Sequence, residues 1–248
     1  MLIAGPCAIE NRDQIFKIYN FLIHQNVTHL RAQIFKGQIH PFDKEGKPAY
    51  WGIGDTWEGN DLTHLLNELQ WTFQLPLVTE VQSIEQANFI LHKTWIRWIQ
   101  IGTRNCQNFP LLRHLAKEEN AEGFILKRGL GCTVDEWIGS AEHLGGPNRV
   151  IMCERGVSHF DRTSTSRWRL DFNAVAFLKT YTNYRVIVDP SHGSGDRRLV
   201  YLLSKAALPI ADGLMIEVHY EPDKSPTDAS QTINFEEFKR IAELYRKE

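Results

Sequence analysis

The sequence predicts a (β/α)8 barrel, and three observations carry that reading. Short β-rich runs alternate with longer amphipathic ones almost to the end of the chain. Eight such units fit the 248 residues, the size expected for this barrel. The runs LIAGPC, RVIVDPSH and GLMIEVH each pass from aliphatic residues into a polar tip, which is how a buried parallel strand delivers a functional group.

The first strand is placed at 2–6 and is followed by an amphipathic helix at 12–24. The second, at 29–35, runs into a Gly-, Pro- and aromatic-rich segment at 37–60, long enough to be a substrate loop. Strands at 77–81 and 98–102 are followed by helices at 83–93 and 109–117. The strand at 123–127 leads to a helix at 134–144, which Thr133 and Glu136 open with a capping box. The strand at 149–154 comes next, then strands at 185–189 and 213–218, followed by helices at 197–206 and 235–246. A doubly wound open sheet is the alternative, but no GxGxxG follows the first strand, which weakens its dinucleotide-binding form. No internal repeat or low-complexity linker marks a second domain, so 1–248 is expected to be one catalytic barrel without a separate regulatory domain.

With 42% hydrophobic residues the chain can bury a substantial core, and 28 basic against 30 acidic residues leave no electrostatic footprint for nucleic acid or an anionic membrane. No apolar run approaches the ~18 residues of a membrane span. The cysteines at 7, 106, 132 and 153 form no CxxC pair and no secretory leader precedes them, so a reducing cytoplasm is expected.

Cys7, His192 and Glu217 sit at strand ends, and Asp228 follows shortly after the last of them. Thiolate, imidazole and two carboxylates suit a divalent Zn, Mn, Fe or Co ion with an open position. Arg31, Lys36, Arg104, Lys127 and Arg155 fall within or just beyond four strands, so their charges should face the barrel mouth. Several cations converging on one rim imply a phosphate or carboxylate ligand. The alternative for any one of them is a pair with Glu80, Glu154 or Asp189. GLGCT and GSGDRR add candidate anion-binding glycine loops.

The strings AGPCAIE (4–10), TEV (79–81), QIGTRNCQNF (100–109), ILKRG (125–129), CERG (153–156), DPSHGSGDRR (189–198), ADGLMIEVH (211–219) and SPTDASQ (225–231) span nearly the whole chain in order. Together they resemble the type I 3-deoxy-7-phosphoheptulonate (DAHP) synthases, related to the 3-deoxy-8-phosphooctulonate (KDO8P) synthases and closer to the DAHP branch. The resemblance implies a cytoplasmic, oligomeric barrel of aromatic amino acid biosynthesis that condenses phosphoenolpyruvate (PEP) with an aldose phosphate at a divalent metal. Its metal ligands would be Cys7, His192, Glu217 and Asp228. PEP would be held by Arg31, Lys36, Arg104, Lys127 and Arg155, and the catalytic set would be Lys36, Cys7 and His192, with Lys36 as proton donor. Trp95, Trp98, Trp137 and Trp168 are the sequence's own hint of an interface, with core or loop packing the favoured alternative for each.

One departure bears on the acceptor. Where DAHP synthases carry a KPRTSP-like segment that reads erythrose 4-phosphate, this chain has KGQIHP at 36–41. The acceptor phosphate then falls to His40, Lys44 and Lys47, or to Arg197 and Arg198, beside His192; otherwise the acceptor is a different aldehyde. A non-catalytic PEP-binding or assembly protein is the reading of another class. Insensitivity to phenylalanine and tyrosine is expected of a bare barrel.

Overall fold

The computed structural model describes residues 1–37, 41, 42, 46, 49, 52–55, 59–160 and 167–247. Among these, eight parallel strands close into a barrel in chain order. They are β1 (Leu2–Gly5), β2 (His29–Arg31), β3 (Leu77–Val81), β4 (Trp98–Ile101), β5 (Gly123–Lys127), β6 (Val150–Glu154), β7 (Arg185–Val188) and β8 (Gly213–Glu217). β8 returns to β1 with Leu214 opposite Leu2 and Glu217 opposite Gly5, which brings the two ends of the chain together. No cysteine is paired, and among the described residues no helix is long and apolar enough to cross a membrane.

Strand periodicity sorts the side chains into two cores. Ile3, Val78, Ile125, Ile151, Cys153, Ile187 and Met215 form a layer inside the barrel, separate from the larger cluster between strands and helices that holds Leu30, Phe124, Leu126 and Met152. Because side chains alternate with period two, the next inward positions above that layer are Glu80, Lys127, Arg155, Asp189 and Glu217. Arg31 extends the same inward row on β2, beyond outward-facing Leu30. The chargeable rim thus follows directly from the apolar register beneath it.

The surrounding helices are α1 (Arg12–Leu22), α2 (Gly59–Phe73), α3 (Ile84–Lys93), α4 (Phe109–Ala116), α5 (Val134–His143), α6 (Phe172–Tyr181), α7 (Pro190–Ser194), α8 (Arg197–Ala207) and α9 (Phe235–Tyr245). The strands match the sequence reading within a residue except β2, which stops at Arg31 rather than 35. Beyond Arg31 a side chain takes over part of the ladder, since Gln33 Oε1 accepts the Glu80 backbone N–H at 2.7 Å. Helices α2, α6 and α7 were not read from the sequence. α2 begins inside the expected 37–60 loop, most of which lies outside the described residues. α6 buries Ala174, Val175 and Leu178 but leaves Phe177 and Tyr181 exposed, so apolar residues on both faces blur its period. Trp137 is fully buried and donates its indole N–H to Leu126 O, which is the core-packing alternative for that residue. Trp98 packs edge-on against His29, and Trp95 is the exposed one of this set, 6.4 Å from Trp71.

Candidate active site at the strand ends

Cys7, Glu217 and Asp228 converge although 221 residues separate the first from the last. One ligand atom from each lies within 4.8 Å of the others. The Cys7 thiol donates to Asp228 Oδ2 at 3.3 Å. His192 completes the set, its Nε2 lying 3.4 Å from Glu217 Oε1 and 3.9 Å from Asp228 Oδ2. The His192 ring is aimed by its own short helix. Asp189 caps α7 by accepting the His192 backbone N–H at 3.0 Å, and its other oxygen lies 2.8 Å from ring Nδ1. That places Nε2 toward the carboxylates, the arrangement in which a carboxylate orients a metal-binding imidazole. Asp228 holds a left-handed conformation, φ 50°, which Asp tolerates better than most residues.

The cations are distributed around this cluster. Arg31 donates to Glu217 Oε1 at 3.1 Å while its Nε and Nη1 are buried without a partner among the described residues. Lys36 Nζ donates to Cys7 Sγ at 3.0 Å. Lys127 pairs with Asp189 at 2.6 Å, as the ion-pair alternative anticipated. Arg155 is buried beside the Trp168 ring, with Nε and Nη1 unpartnered among the described residues. Arg104 stands at the exposed edge and donates to Gly37 O at 3.1 Å. Arg197 and Arg198, read from the sequence as alternative donors to the acceptor phosphate, pair here with Asp223 and Asp196 at 2.8 and 2.6 Å. His40, Lys44 and Lys47 lie outside the described residues.

Burial and the adjacent Glu217 charge push the Cys7 thiol well above its ordinary pKa. Burial also lowers His192, so its imidazole is neutral and its lone pair is available. Burial opposes the charge on Asp189 and Asp228, but Lys127 and the bond from His192 outweigh it for the first, and Lys36 and Arg167 for the second. Lys36 is desolvated yet raised, because Cys7, Asp228 and Glu217 favour its cation. Arg155 is lowered by burial and, among its neighbours, by Arg167.

Three residues that the sequence did not single out belong to the site. Arg128 faces outward, opposite to Lys127, and binds Glu154 at 3.2 Å and Asp171 at 2.9 Å. Glu154 in turn accepts the Gly156 N–H at 2.7 Å, fixing the turn that presents Arg155. Arg167 binds Asp228 and Gln231, and Gln231 binds Glu217.

A barrel that gathers a thiol, an imidazole and two carboxylates at its rim, with buried guanidinium donors beside them, has the make-up of an enzyme handling an anionic substrate at a divalent ion. The chain belongs to the DAHP synthetase I family, whose model matches residues 1–248. Phospho-2-dehydro-3-deoxyheptonate aldolase of Thermotoga maritima is 33% identical over 249 residues, covering 99% of this chain and 69% of the relative. The crystal structure of that DAHP synthase superposes with a TM-score of 0.86 at 32% identity, over 100% of this chain and 68% of the other. A truncated form of 3-deoxy-D-arabino-heptulosonate 7-phosphate synthase from the same organism gives 0.82 at 32% identity, over 100% and 85%. The 2-dehydro-3-deoxyphosphooctonate aldolase of Bartonella tribocorum is 25% identical over 259 residues, or 98% of this chain and 87% of the relative.

Proposed function

We propose that this chain condenses PEP with erythrose 4-phosphate to give DAHP. The observation that carries the reading is the convergence of Cys7, His192, Glu217 and Asp228 beside buried guanidinium nitrogens of Arg31 and Arg155 that have no partner among the described residues. Buried unpaired donors are costly, and an anionic ligand would satisfy them. The non-catalytic alternative is disfavoured by the convergence of the ligand set and of buried cations on one rim of the barrel.

The donor set fits a divalent ion: soft sulfur, neutral imidazole and two ionised carboxylates, with ligand atoms of Cys7, Glu217 and Asp228 within 4.8 Å of one another and His192 Nε2 3.4 Å from Glu217 Oε1. When bound, such an ion supplies Lewis acidity toward an aldehyde oxygen. In the overall reaction C3 of PEP bonds to the aldehyde carbon, water adds at C2, and phosphate leaves with cleavage of its C–O bond. Arg155, Lys127 and Arg104 would hold the PEP phosphate and carboxylate and fix the face that reacts. Lys36, kept charged against burial, carries a proton beside Cys7 and would protonate the developing alkoxide.

A second reading, condensation of PEP with a different aldehyde, is favoured by the KGQIHP segment at 36–41, because Gln and Ile cannot replace the bidentate contacts an Arg makes to phosphate. The deciding experiment measures phosphate release from PEP by metal-reconstituted protein with erythrose 4-phosphate, arabinose 5-phosphate, ribose 5-phosphate and unphosphorylated sugars. Rapid turnover with erythrose 4-phosphate is expected. PEP binding without that turnover would sink the DAHP assignment and move the chain to the second reading.

A further inference from the structure

Each carboxylate of the cluster has one oxygen facing inward and one facing away. Asp228 Oδ2 faces Cys7 Sγ at 3.3 Å, and Glu217 Oε1 faces His192 Nε2 at 3.4 Å while also accepting from Arg31 Nη2 at 3.1 Å, which leaves its second lone pair for an ion. Both remaining oxygens are occupied: Arg167 Nη1 donates to Asp228 Oδ1 at 3.0 Å, and Gln231 Nε2 donates to Glu217 Oε2 at 2.7 Å. The two donors are themselves joined, because Arg167 Nη1 also reaches Gln231 Oε1 at 3.2 Å. We infer that Gln231 and Arg167 are positioning residues that orient both carboxylates so that Glu217 Oε1 and Asp228 Oδ2 converge on one divalent cation. This rests on reading the cluster as a metal centre.

The orientation of the Gln231 amide follows from its neighbours. A flipped amide would set its NH2 against the Arg167 guanidinium and its oxygen against the Glu217 carboxylate, losing both bonds. Gln231 is fully buried, whereas the Arg167 side chain is 36% exposed, so Gln231 should contribute more. The Arg167 backbone is tied to the helix that carries His192, with Arg167 N bonded to Ser194 O at 3.1 Å and Trp168 N to Gly193 O at 3.2 Å. The outer layer therefore links the imidazole ligand to both carboxylates.

The test titrates metal-stripped protein with Co2+ alone, reading affinity and the visible absorption spectrum, with circular dichroism to verify folding. Gln231→Leu is expected to weaken Co2+ binding by about 10–100-fold, the usual effect of losing an outer partner of a ligand, and to alter the spectrum. Arg167→Gln should weaken it less, and Arg167→Lys should recover part of the loss. Should Gln231→Leu fail to fold, the half-exposed Arg167→Gln variant decides alone. Wild-type affinity and spectrum in the folded variants would overturn the inference. A wild-type protein that binds no Co2+ would instead remove the metal-centre reading, and this inference with it.

Discussion

Cys7 contributes almost nothing to packing beyond a small buried side chain, yet it touches Lys36 and Asp228 and lies within ligand distance of Glu217. Cys7→Ala should therefore abolish metal-dependent turnover while leaving a folded barrel, and normal PEP consumption by that variant would show that the thiol is no ligand. His29, at the opposite end of the barrel, governs stability instead. Burial, with the Met1 ammonium and Arg185 adding to it, lowers its pKa to about 4. The unfolded chain, titrating near the ordinary value of 6.5, binds more protons than the folded one between these limits. Stability should thus be full above pH ~6.5 and fall as the pH drops toward 4, by no more than ~1–2 kcal/mol for a partly exposed ring. His29→Gln should flatten the pH dependence of the urea midpoint between pH 7 and 5; an unchanged slope would clear His29 of the effect. At this scale the candidate ligands Cys7, His192 and Glu217 were legible because strand ends announce them, and Asp228 because it follows the last of those ends. Arg128, Arg167 and Gln231 were not, because an outward Arg, a loop Arg and a neutral amide acquire meaning only from partners 14 to 64 residues away.

The strands were legible as apolar runs with abrupt polar ends, since a strand buried on both faces leaves a continuous signal. Helix α6 was not, because Phe177 and Tyr181 stay exposed on the side where polarity is expected. The opening of α5 was read correctly: Thr133 Oγ1 accepts the Glu136 N–H at 3.2 Å, and the Glu136 carboxylate accepts the Thr133 N–H at 2.9 Å. Thr133→Ala should cost about 1 kcal/mol, read as a lower urea midpoint at constant m-value. The turn after β6 is more demanding. Gly156 has φ +95°, and a Cβ there would lie 2.6 Å from Trp168 Cβ. Gly156→Ala should destabilise the barrel by more than ~1 kcal/mol and raise the KM for PEP, because the displaced turn carries Arg155. An unchanged KM would separate the turn from substrate binding.

Closure of the barrel is what makes the cluster, since β8 pairs with β1 and thereby sets Glu217 and Asp228 beside Cys7. The same closure makes the cluster a global stability element. Any cation held there bridges the end of the first strand, helix α7, the last strand and the segment leading to α9, the first of them far from the other three in an unfolded chain. An ion that binds the folded state alone stabilises it by RT ln(1 + [L]/Kd), or about 2.7 kcal/mol at 100 times Kd. For a protein of this size that corresponds to an increase in Tm of roughly 5–10 °C. Scanning calorimetry of metal-stripped protein, with and without Mn2+ or Co2+ at that ratio, should show this shift and its reversal by a chelator. Cys7→Ala and Asp228→Asn should lose most of it, while Arg198→Gln, whose partner is the exposed pair with Asp196, should keep it. If the ion raised Tm equally in all three variants, it would be binding elsewhere, and the seam between β1 and β8 would owe its stability to strand pairing and the Arg31–Glu217 ion pair alone.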